Sequence, residues 1–409
     1  MKALFKMSEV MNKEEKMVPE LRFKEFEEQW AVRDFNSMVK KRKEKFDPKK
    51  TTEALPCIEL ESIQKEKGIL LEVFNSEDQS SIKNKFYKGD VLLGKLRPKL
   101  KKYLIANFDG VCSSEIWVLN GKNSTNEFVY YLIQTYRFYK STLVTSGSKM
   151  PRADWEYIST STFSIPSLPE QQKIADFLSA VDQKIQQLQR KKELLAQYKK
   201  GMMQRLFPPG VGQAPEIRFK DEQGNDFPEW EEKKLGDEIT EFKKKSDKEN
   251  QFPVLTSSNA GLLLQSEYYG ENRLTYRSNL GFNIIPQEYI TYRSRSDNRK
   301  FTFNLNSTGK TGIISTYYPV FKSISGNSYF IVSLLNFSQN HVGRHSVGTS
   351  QTVLSYNELK RIKFFIPTEL EQQKIANFLS ALDEKVTKVE QQIEQAQRFK
   401  KGLLQKMFV

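Results

Sequence analysis

Two long segments of the chain carry apolar residues at alternating spacings of four and three, which is typical of an α-helix with one apolar stripe. In the first segment these residues are Ile174, Leu178, Val181, Ile185, Leu188, Leu195, Met202 and Leu206. In the second they are Ile375, Leu379, Leu382, Val386, Val389, Ile393, Ala396, Leu403 and Met407. Lysines interrupt the stripes, at Lys192 and Lys199 in the first and at Lys400 in the second. The pattern predicts two helices, each roughly 55 Å long.

Both segments begin with the same capping pattern. Ser167 and Thr368 each stand three residues before a glutamate, Glu170 and Glu371. This spacing predicts a helix start in which the hydroxyl caps a backbone N–H and the glutamate reaches back to the cap residue. The segment FPPG from Phe207 predicts the end of the first helix, because proline lacks the N–H and clashes with the preceding turn.

The two segments are copies of each other. The sequence EQQKIADFLSAVDQK from Glu170 recurs as EQQKIANFLSALDEK from Glu371, an offset of 201 residues. Of the 38 positions in 170–207, 18 are identical in 371–408. The chain therefore contains an internal repeat with a fixed register.

The repeat extends beyond the helices. The sequence PELRF from Pro19 returns as PEIRF from Pro215, and GSKM from Gly147 has its counterpart in GTSQ from Gly348. The regions between these motifs are nearly equal in length but show no convincing alignment. This pattern predicts two equivalent units whose surfaces differ.

A helix with one apolar stripe must bury that stripe, and two matching stripes favour pairing in an antiparallel coiled coil. Packing of each helix on its own domain and pairing between two chains are the alternatives. The remaining segments alternate as strands do, for example EYITYRSR from Glu288. The predicted fold is α+β, with two β-rich domains of mixed sheets, related by a pseudo-twofold axis and separated by the antiparallel coiled coil. The predicted boundaries are a flexible tail 1–17, a first domain 18–168, a helix 169–207, a linker 208–226, a second domain 227–368 and a helix 369–409.

The composition adds charge to this picture. Lysine and arginine number 64 against 50 aspartates and glutamates, and a net charge of +14 favours a polyanion such as nucleic acid through counterion release. Charge alone does not separate such proteins from basic proteins that bind no anion. With 38% hydrophobic residues and no apolar run long enough to cross a membrane, we expect a soluble, cytoplasmic protein.

Basic residues interleaved with the strands are candidate DNA contacts, because lysine and arginine bind phosphates and guanine edges. They are Lys95, Arg97 and Lys99 in the first half and Arg293, Arg295, Arg299 and Lys310 in the second. The glycine loops allow close approach to a phosphate or a base. They add Gly147, Ser148, Lys149, Gly348, Thr349, Ser350 and Gln351. A solvated charged surface and ordinary turns are the alternative interpretations.

Patterns for catalysis and for metal binding are weak. The sequence STGKTG from Ser307 ends like a phosphate-binding loop, but Asn304 stands where that motif needs glycine. His341 and His345 have no neighbouring carboxylate or cysteine in the sequence that would complete a metal site. We expect no catalytic residue and no metal site, in a chain that binds rather than reacts.

The duplicated PELRF and PEIRF openings, the GSKM and GTSQ loops and the EQQKIA helices together resemble the specificity subunits of type I restriction–modification systems. The resemblance covers nearly the whole chain after residue 17. It implies that each variable region is a target-recognition domain for one half of an asymmetric, interrupted DNA sequence. It also implies that the helix pair sets the number of unread base pairs between the halves.

The same resemblance implies partners that carry the chemistry. Two methyltransferase subunits would bind S-adenosylmethionine and modify adenine at N6, and two motor–nuclease subunits would use ATP and Mg²⁺. This chain would bind no cofactor itself. A non-catalytic scaffold that joins two protein-binding domains is the alternative function, and a solitary modification enzyme is the third.

Overall fold

The computed structural model describes residues 18–147, 149–208, 210, 213–259, 261–270 and 278–409. The predicted tail of residues 1–17 lies outside the described residues. The chain forms two compact units: unit 1 is the chain up to Gln189 together with Gln391–Val409, and unit 2 is Arg190–Glu390. Each unit therefore contains one part of each long helix.

Unit 1 begins with a short strand and helix and is then mainly β-structure. Its strands are β1 Ala31–Asp34, β2 Val39–Lys41, β3 Lys45–Phe46, β4 Pro56–Ile58, β5 Phe74–Asn75, β6 Lys83–Phe86, β7 Val91–Gly94, β8 Tyr103–Ile105, β9 Gly110–Cys112, β10 Ile116–Gly121, β11 Thr145–Ser146, β12 Arg152–Ala153 and β13 Thr162–Ile165. Its short helices are α1 Phe35–Met38, α2 Asn126–Leu132, α3 Tyr136–Ser141 and α4 Trp155–Thr160. The first long helix, α5, is Leu168–Leu206.

Two sheets form the centre of unit 1. One has the strand order β2-β10-β7-β8, and the other has the order β3-β6-β9-β4-β5, in which β4 and β9 run parallel. The consecutive residues Leu92 and Leu93 of β7 point to opposite sides of the sheet. Leu92 belongs to the core between the two sheets, and Leu93 belongs to a second core that includes α2 and α5. The mixed sheets predicted from the sequence are confirmed.

Unit 2 repeats this plan. Its strands are β14 Glu231–Lys234, β15 Ile239–Glu241, β16 Leu255–Ser258, β17 Gly261–Leu264, β18 Asn283–Ile285, β19 Ile290–Tyr292, β20 Arg295–Ser296, β21 Phe303–Leu305, β22 Gly312–Ile314, β23 Val320–Ser323, β24 Thr352–Val353 and β25 Lys363–Ile366. Its helices are α6 Leu235–Glu238, α7 Gln265–Tyr269, α8 Ser328–Phe337, α9 Gln339–Gly343 and α10 Tyr356–Arg361, followed by the second long helix, α11 Glu369–Lys406.

The four-stranded sheet of unit 2 has the order β15-β23-β19-β21, which matches β2-β10-β7-β8 of unit 1 strand by strand. The pairing of β1 with β13 likewise recurs as β14 with β25. These sheets therefore share one strand order although their sequences do not align, since apolar alternation specifies a strand without specifying which apolar residue it contains. The units differ elsewhere, because the described residues of unit 2 form two-stranded sheets, β16-β17 and β18-β22, and no five-stranded sheet.

Within each unit the two long helices run antiparallel, as predicted. In unit 1, Asp182 of α5 lies 2.7 Å from Lys400 of α11, and in unit 2, Lys199 lies 2.5 Å from Asp383. The residue numbers add up to 582 in both pairs, so both units use the same helix register. Of the seventeen apolar residues predicted in the two stripes, eleven are buried: Ile174, Leu178, Ile185, Leu188, Leu206, Ile375, Leu379, Leu382, Val389, Leu403 and Met407. The other six, Val181, Leu195, Met202, Val386, Ile393 and Ala396, are half-buried.

The first turns of each long helix are also part of the core of a unit. Ile174 and Leu178 share one apolar cluster with Trp30 and Phe128 of unit 1, and with Leu403 of α11. The division between the compact units therefore falls inside the helices, whereas the predicted domain boundaries lie at the helix ends.

The helices begin at Leu168 and Glu369, where the capping pattern predicts, but the glutamates have a different role. Glu170 accepts hydrogen bonds from Arg22 Nε at 2.7 Å and Nη2 at 2.8 Å. Glu371 accepts the equivalent bonds from Arg218, at 3.1 and 2.8 Å. The prediction that these carboxylates reach back to the cap residue is therefore wrong, because the arginine of each PE(L/I)RF motif pairs with them.

Candidate nucleic-acid interface

In unit 1 the basic loop after β7 lies against the hairpin that carries the first glycine loop. Ala153 N donates to Lys95 O at 2.9 Å, and Arg97 N donates to Pro151 O at 2.8 Å. Strands β11 and β12 form the sides of this hairpin, and Gly147 and Lys149 lie between them in the chain. The structure thus brings the backbone of Lys95 and Arg97 against the hairpin that carries Gly147 and Lys149, although the two segments are about 50 residues apart in sequence. Ser148 is not among the described residues.

Two residues of the loop have a left-handed backbone conformation. Arg97 has φ 50° and Lys101 has φ 46°, and these left-handed residues flank the short 3₁₀ turn Pro98–Leu100. A non-glycine residue in this conformation costs on the order of 1–3 kcal/mol and is concentrated at functional sites. Arg97, Lys99 and Lys149 are exposed, while Lys95 is half-buried.

Unit 2 places the second glycine loop in the equivalent position. Strand β20, which contains Arg295, pairs with β24 immediately after GTSQ. Arg299 Nη2 donates to Gly348 O at 3.4 Å, and Gln351 Nε2 donates to Asp297 Oδ1 at 3.4 Å. The loop residues Gly348, Thr349, Ser350 and Gln351 are all exposed, as are Arg293, Arg295 and Arg299.

Glycine is required at one of these loops. Gly348 has φ 118°, and a Cβ there would stand 2.5 Å from Gln351 O. A side chain at this position would therefore clash with the backbone of the loop. The equivalent Gly147 has φ 82° and more room, with Met150 O at 3.4 Å from a Cβ.

Lys310 is not brought to this cluster. Strands β19 and β21 pair antiparallel with Tyr292 opposite Phe303 and Ile290 opposite Leu305. The arginines follow Tyr292, whereas Lys310 follows Leu305 and so lies at the other end of the strand pair. Its turn is held by Asn306, whose side-chain amide donates to Lys310 O at 2.9 Å. The STGKTG segment forms this turn.

Three further residues lie beside these loops and were not predicted from the sequence. Arg152, on the strand after GSKM, binds both carboxylate oxygens of Glu115 at 2.9–3.1 Å. Lys41 Nζ lies 4.4 Å from the ring centroid of Trp155. Tyr317, whose side chain is 65% exposed, lies under the Arg295 guanidinium at 5.2 Å. Its position two residues after GSKM was a usable signal for Arg152, whereas the other two contacts form only when distant segments pack together.

Positive charge is concentrated near this loop in unit 1. Burial lowers the pKa of Lys41, and the nearby Lys43, Lys95 and Lys45 lower it further by repulsion. Such a cluster attracts an anion, because a bound phosphate relieves the repulsion among the ammonium groups. Exposed guanidinium, ammonium and amide groups can together bind phosphates and the edges of bases.

The histidines form no such cluster. His341 and His345 lie in and just after α9, with ring centroids 5.4 Å apart, and His341 Nε2 contacts Lys363 O at 3.0 Å. Burial and the neighbouring His341 lower the pKa of His345. The described part of the chain holds no group of three metal-ligating side chains. None of its helices has the length and apolar character needed to span a lipid bilayer.

A model of the protein family described as the type I restriction modification DNA specificity domain matches the chain twice, at residues 27–196 and 228–398. The MjaVIII specificity subunit of a type I restriction enzyme from Methanocaldococcus jannaschii is 25% identical over 339 residues, which are 77% of this chain and 74% of that protein. The putative MjaX specificity subunit of the same organism is 22% identical and covers 93% of both chains.

Two solved structures share the fold. The S subunit of a type I restriction–modification system from M. genitalium has a TM-score of 0.57 at 16% identity and covers 96% of this chain and 99% of its own. A chain from a study of assembly and conformational transition of a type I R-M system has a TM-score of 0.55 at 15% identity, covering 92% and 97%. The twofold match to one family model agrees with the two equivalent units.

Proposed function

This chain belongs to the family of type I restriction modification DNA specificity domains, and we propose that it binds a bipartite, asymmetric DNA sequence, one half through each unit. The observation that carries the proposal is the recurrence of one arrangement: a basic loop after a central strand, set against an exposed glycine loop. Arg97 with Lys149 represents it in unit 1, and Arg295 with Gln351 represents it in unit 2. Because the side chains differ between the units, the two half-sequences would differ.

We further propose that α5 and α11 act as a spacer. Both helices pass through both units, and both units use the same register. Residues along a helix rise by a constant 1.5 Å, so a helix pair sets a constant number of base pairs between two readers. The coiled coil supports this proposal because its seam is apolar over most of its length.

The partners belong to the same proposal. Two methyltransferase subunits that bind S-adenosylmethionine would modify adenine at N6, and two motor–nuclease subunits would use ATP and Mg²⁺. This chain would contribute position and affinity, bind no cofactor and act in the cytoplasm, where the DNA is. An enzyme that modifies a base must extrude it from the duplex, and the partner, not this chain, would do so.

Binding of duplex DNA by the full-length chain tests the recognition step. We expect the affinity for the bipartite target to fall at least roughly 10³-fold between 50 and 200 mM salt, because six or more phosphates would be neutralised. Fluorescence anisotropy on the target, and on a duplex with only one half-sequence, measures this. A flat salt response would instead favour a protein scaffold, and methylation by the purified chain alone with a labelled methyl donor would indicate a solitary enzyme.

An insertion in one helix tests the spacer. Four extra residues in α5 add about 6 Å, close to two base-pair rises of about 3.4 Å. We expect methylome sequencing of cells that co-produce the methyltransferase subunit to show the same half-sequences with a longer gap. A duplicated four-residue stretch of the linker 213–216 is the matched control and should leave the gap unchanged. An unchanged gap with the helix insertion would refute the spacer.

A further inference from the structure

The lysines that interrupt the apolar stripes take part in two equivalent polar clusters. In unit 1, Lys400 Nζ donates to Asp182 at 2.8 Å and to Gln134 Oε1 at 3.0 Å. Tyr131 Oη donates to the same Asp182 carboxylate at 3.0 Å. Tyr131 belongs to α2, so three elements of the unit meet at one carboxylate: both long helices and the first helix that follows the sheet.

Unit 2 contains the counterpart of this cluster. Lys199 Nζ donates to Asp383 at 2.5 Å, and Tyr329 Oη donates to the other oxygen of that carboxylate. Lys199 and Lys400 stand 201 residues apart, and so do Asp182 and Asp383. Tyr329 belongs to α8, which occupies the place of α2. The tyrosines fall outside the strict 201 offset, so only the fold shows that they are equivalent.

These groups are placed where a polar residue is costly. Tyr131 is buried, and burial raises its pKa, which keeps the hydroxyl protonated as a donor. The side chains of Lys400 and Lys199 are 13% and 23% exposed in an apolar seam, whereas that of Asp383 is 45% exposed, so the cluster of unit 1 is the more buried of the two. A polar residue at a core position of a coiled coil lowers stability but selects one register, because every other register leaves it without its partner.

Sliding one helix past the other by one heptad shows what these pairs exclude. In one direction the slide would put Asp182 opposite Met407 and Asp383 opposite Leu206. In the other direction it would put Asp182 opposite Ile393 and Lys400 opposite Ala175. The apolar residues of the seam recur every seven residues and would tolerate either slide. In unit 1 both slides separate Asp182 and Lys400 from any counter-charge, whereas in unit 2 the first slide puts Lys199 opposite Glu390 and the second puts Asp383 opposite Lys192. The cluster of unit 1 therefore opposes both slides, because each would leave charge in the seam without a partner.

We propose that Lys400–Asp182–Tyr131 and Lys199–Asp383–Tyr329 are positioning residues that fix the register of the long helices, and that, given the proposed function, they determine the gap between the two DNA half-sequences. The slide that they exclude is about 10 Å, or about three base-pair rises. The apolar seam supplies stability, whereas the two clusters supply the choice of register.

Cysteine cross-linking of the full chain without DNA tests the register directly. Ala196 and Val386 line the same cleft of unit 2, and Ile185 and Gln397 line the same cavity of unit 1. Cysteine pairs at 196/386 and 185/397 report the native register. Pairs at 196/379 and 185/404 report slides of one heptad in opposite directions. The native Cys57 and Cys112 are buried, and burial raises their thiol pKa, so they do not compete in the oxidation.

The test variant replaces both ion pairs with leucine, as Asp182→Leu with Lys400→Leu and Asp383→Leu with Lys199→Leu. We expect it to fold, because apolar replacement of a whole pair is often neutral or stabilising. We expect the yield of a slid cross-link to rise at least about tenfold, and methylome sequencing with the co-produced methyltransferase subunit to show added gaps about three base pairs from the native one. Exchange of the charges, with Asp182→Lys and Lys400→Asp together with Asp383→Lys and Lys199→Asp, should restore the native cross-link alone.

The pair Lys192–Glu390 is the matched control. It joins the same helices at the same register over 2.7 Å, but its lysine is 45% exposed, against 23% for Lys199 and 13% for Lys400, and among the described residues no tyrosine hydroxyl donates to its carboxylate. Leucine at both positions should change neither cross-links nor gaps. If the leucine variant of the clusters keeps only native cross-links, the inference is overturned. If slid cross-links form while the gap stays single, the register role stands and the spacer proposal fails.

Discussion

The two units share the ion pairs that hold their long helices in place, and they differ in their exposed loops. Glu170 and Glu371 are buried and bind equivalent arginines, and Asp182 and Asp383 bind equivalent lysines. The loops do not match in this way: unit 1 exposes Arg97 and Lys149, and unit 2 exposes Arg295 above an exposed Tyr317. Residues that are identical in the two halves are therefore concentrated at buried contacts, and residues that differ are concentrated at the solvent-exposed surface.

The glutamines of the repeated EQQKIA motif illustrate the first group. Gln171 Nε2 donates to Pro166 O at 3.0 Å, and Gln372 Nε2 donates to Pro367 O at 3.1 Å. Each buried side-chain amide thus holds the backbone just before the first turn of its helix. A polar residue that is buried and satisfied on several sides leaves little freedom for substitution, so its repetition reflects structure rather than recognition.

The buried arginine–glutamate pairs of the two units are not identical, and the substitution Glu371→Ala should reveal the difference. Trp230 Nε1 donates to Glu371 at 3.2 Å, whereas the equivalent Trp30 Nε1 has no hydrogen-bond partner in the described structure. We expect Glu371→Ala to lower the free energy of unfolding by about 3–5 kcal/mol, because it removes the buried counter-charge of Arg218 and leaves only the exposed Glu229 as its ionic partner. Glu170→Ala should cost about 1 kcal/mol less, since one hydrogen bond fewer is lost. Urea unfolding measures both.

The exposed pair of Glu358 with Arg361 provides a control for that comparison, and Glu358→Ala should cost under about 1 kcal/mol. A larger loss from Glu170→Ala than from Glu371→Ala would show that the tryptophan bond does not stabilise unit 2.

Leu178→Ala and Leu379→Ala should behave alike. These residues are 201 positions apart and both are 0% exposed, each in the core of its own unit. We expect each substitution to cost about 2–5 kcal/mol, because it removes buried methyl groups and leaves a cavity. Thermal unfolding measures the two variants side by side. Unequal losses beyond about 1 kcal/mol would mean that the two cores are packed differently despite their shared topology.

Substitutions in the loops should separate the two half-sequences. Arg295→Ala should weaken DNA binding by roughly 10- to 100-fold and relax the preference only at the half bound by unit 2, as expected for a side chain that contacts a base. Lys149→Ala should weaken binding to all sequences about equally and lower the salt slope by about one, as expected for a phosphate contact. Anisotropy titrations against duplexes mutated in either half distinguish these outcomes, and a loss of preference in both halves would contradict the assignment.

The smallest expected effect is a pH dependence confined to unit 2. The chain has only two histidines, both in unit 2, and the pKa of His345 is lowered by burial and by His341. A folded-state pKa below the unfolded value of about 6.5 means that the unfolded chain binds the proton more readily. Stability from this group is thus present above about pH 6.5 and is lost as pH falls through the folded pKa. Hydrogen exchange of unit 2 peptides between pH 7.5 and 5.5 measures it, and His345→Gln should remove the dependence.

Part of the interface was predictable because it depends on local sequence. The glycine loops and their basic neighbours were recognised from composition and from the 201 offset, and the structure brings Arg97 to Pro151, just after GSKM, and Arg299 to Gly348. Lys310 was grouped with the arginines by its nearness in sequence. An antiparallel strand pair reverses the chain direction, and this places Lys310 at the other end of the strands.

Local periodicity and repetition were enough to predict the two helices and the duplication of the whole plan, and they favoured antiparallel pairing of the helices. The heptads did not exclude packing of each helix on its own domain or pairing between chains, and the tertiary structure decided between these. The sequence pattern could not show which charged and polar side chains pair with each other. The pairing of Arg22 with Glu170 spans 148 residues, and that of Lys400 with Asp182 spans 218. Such contacts form only when distant segments are folded together, so packing in three dimensions decides which charges meet and which remain exposed for DNA.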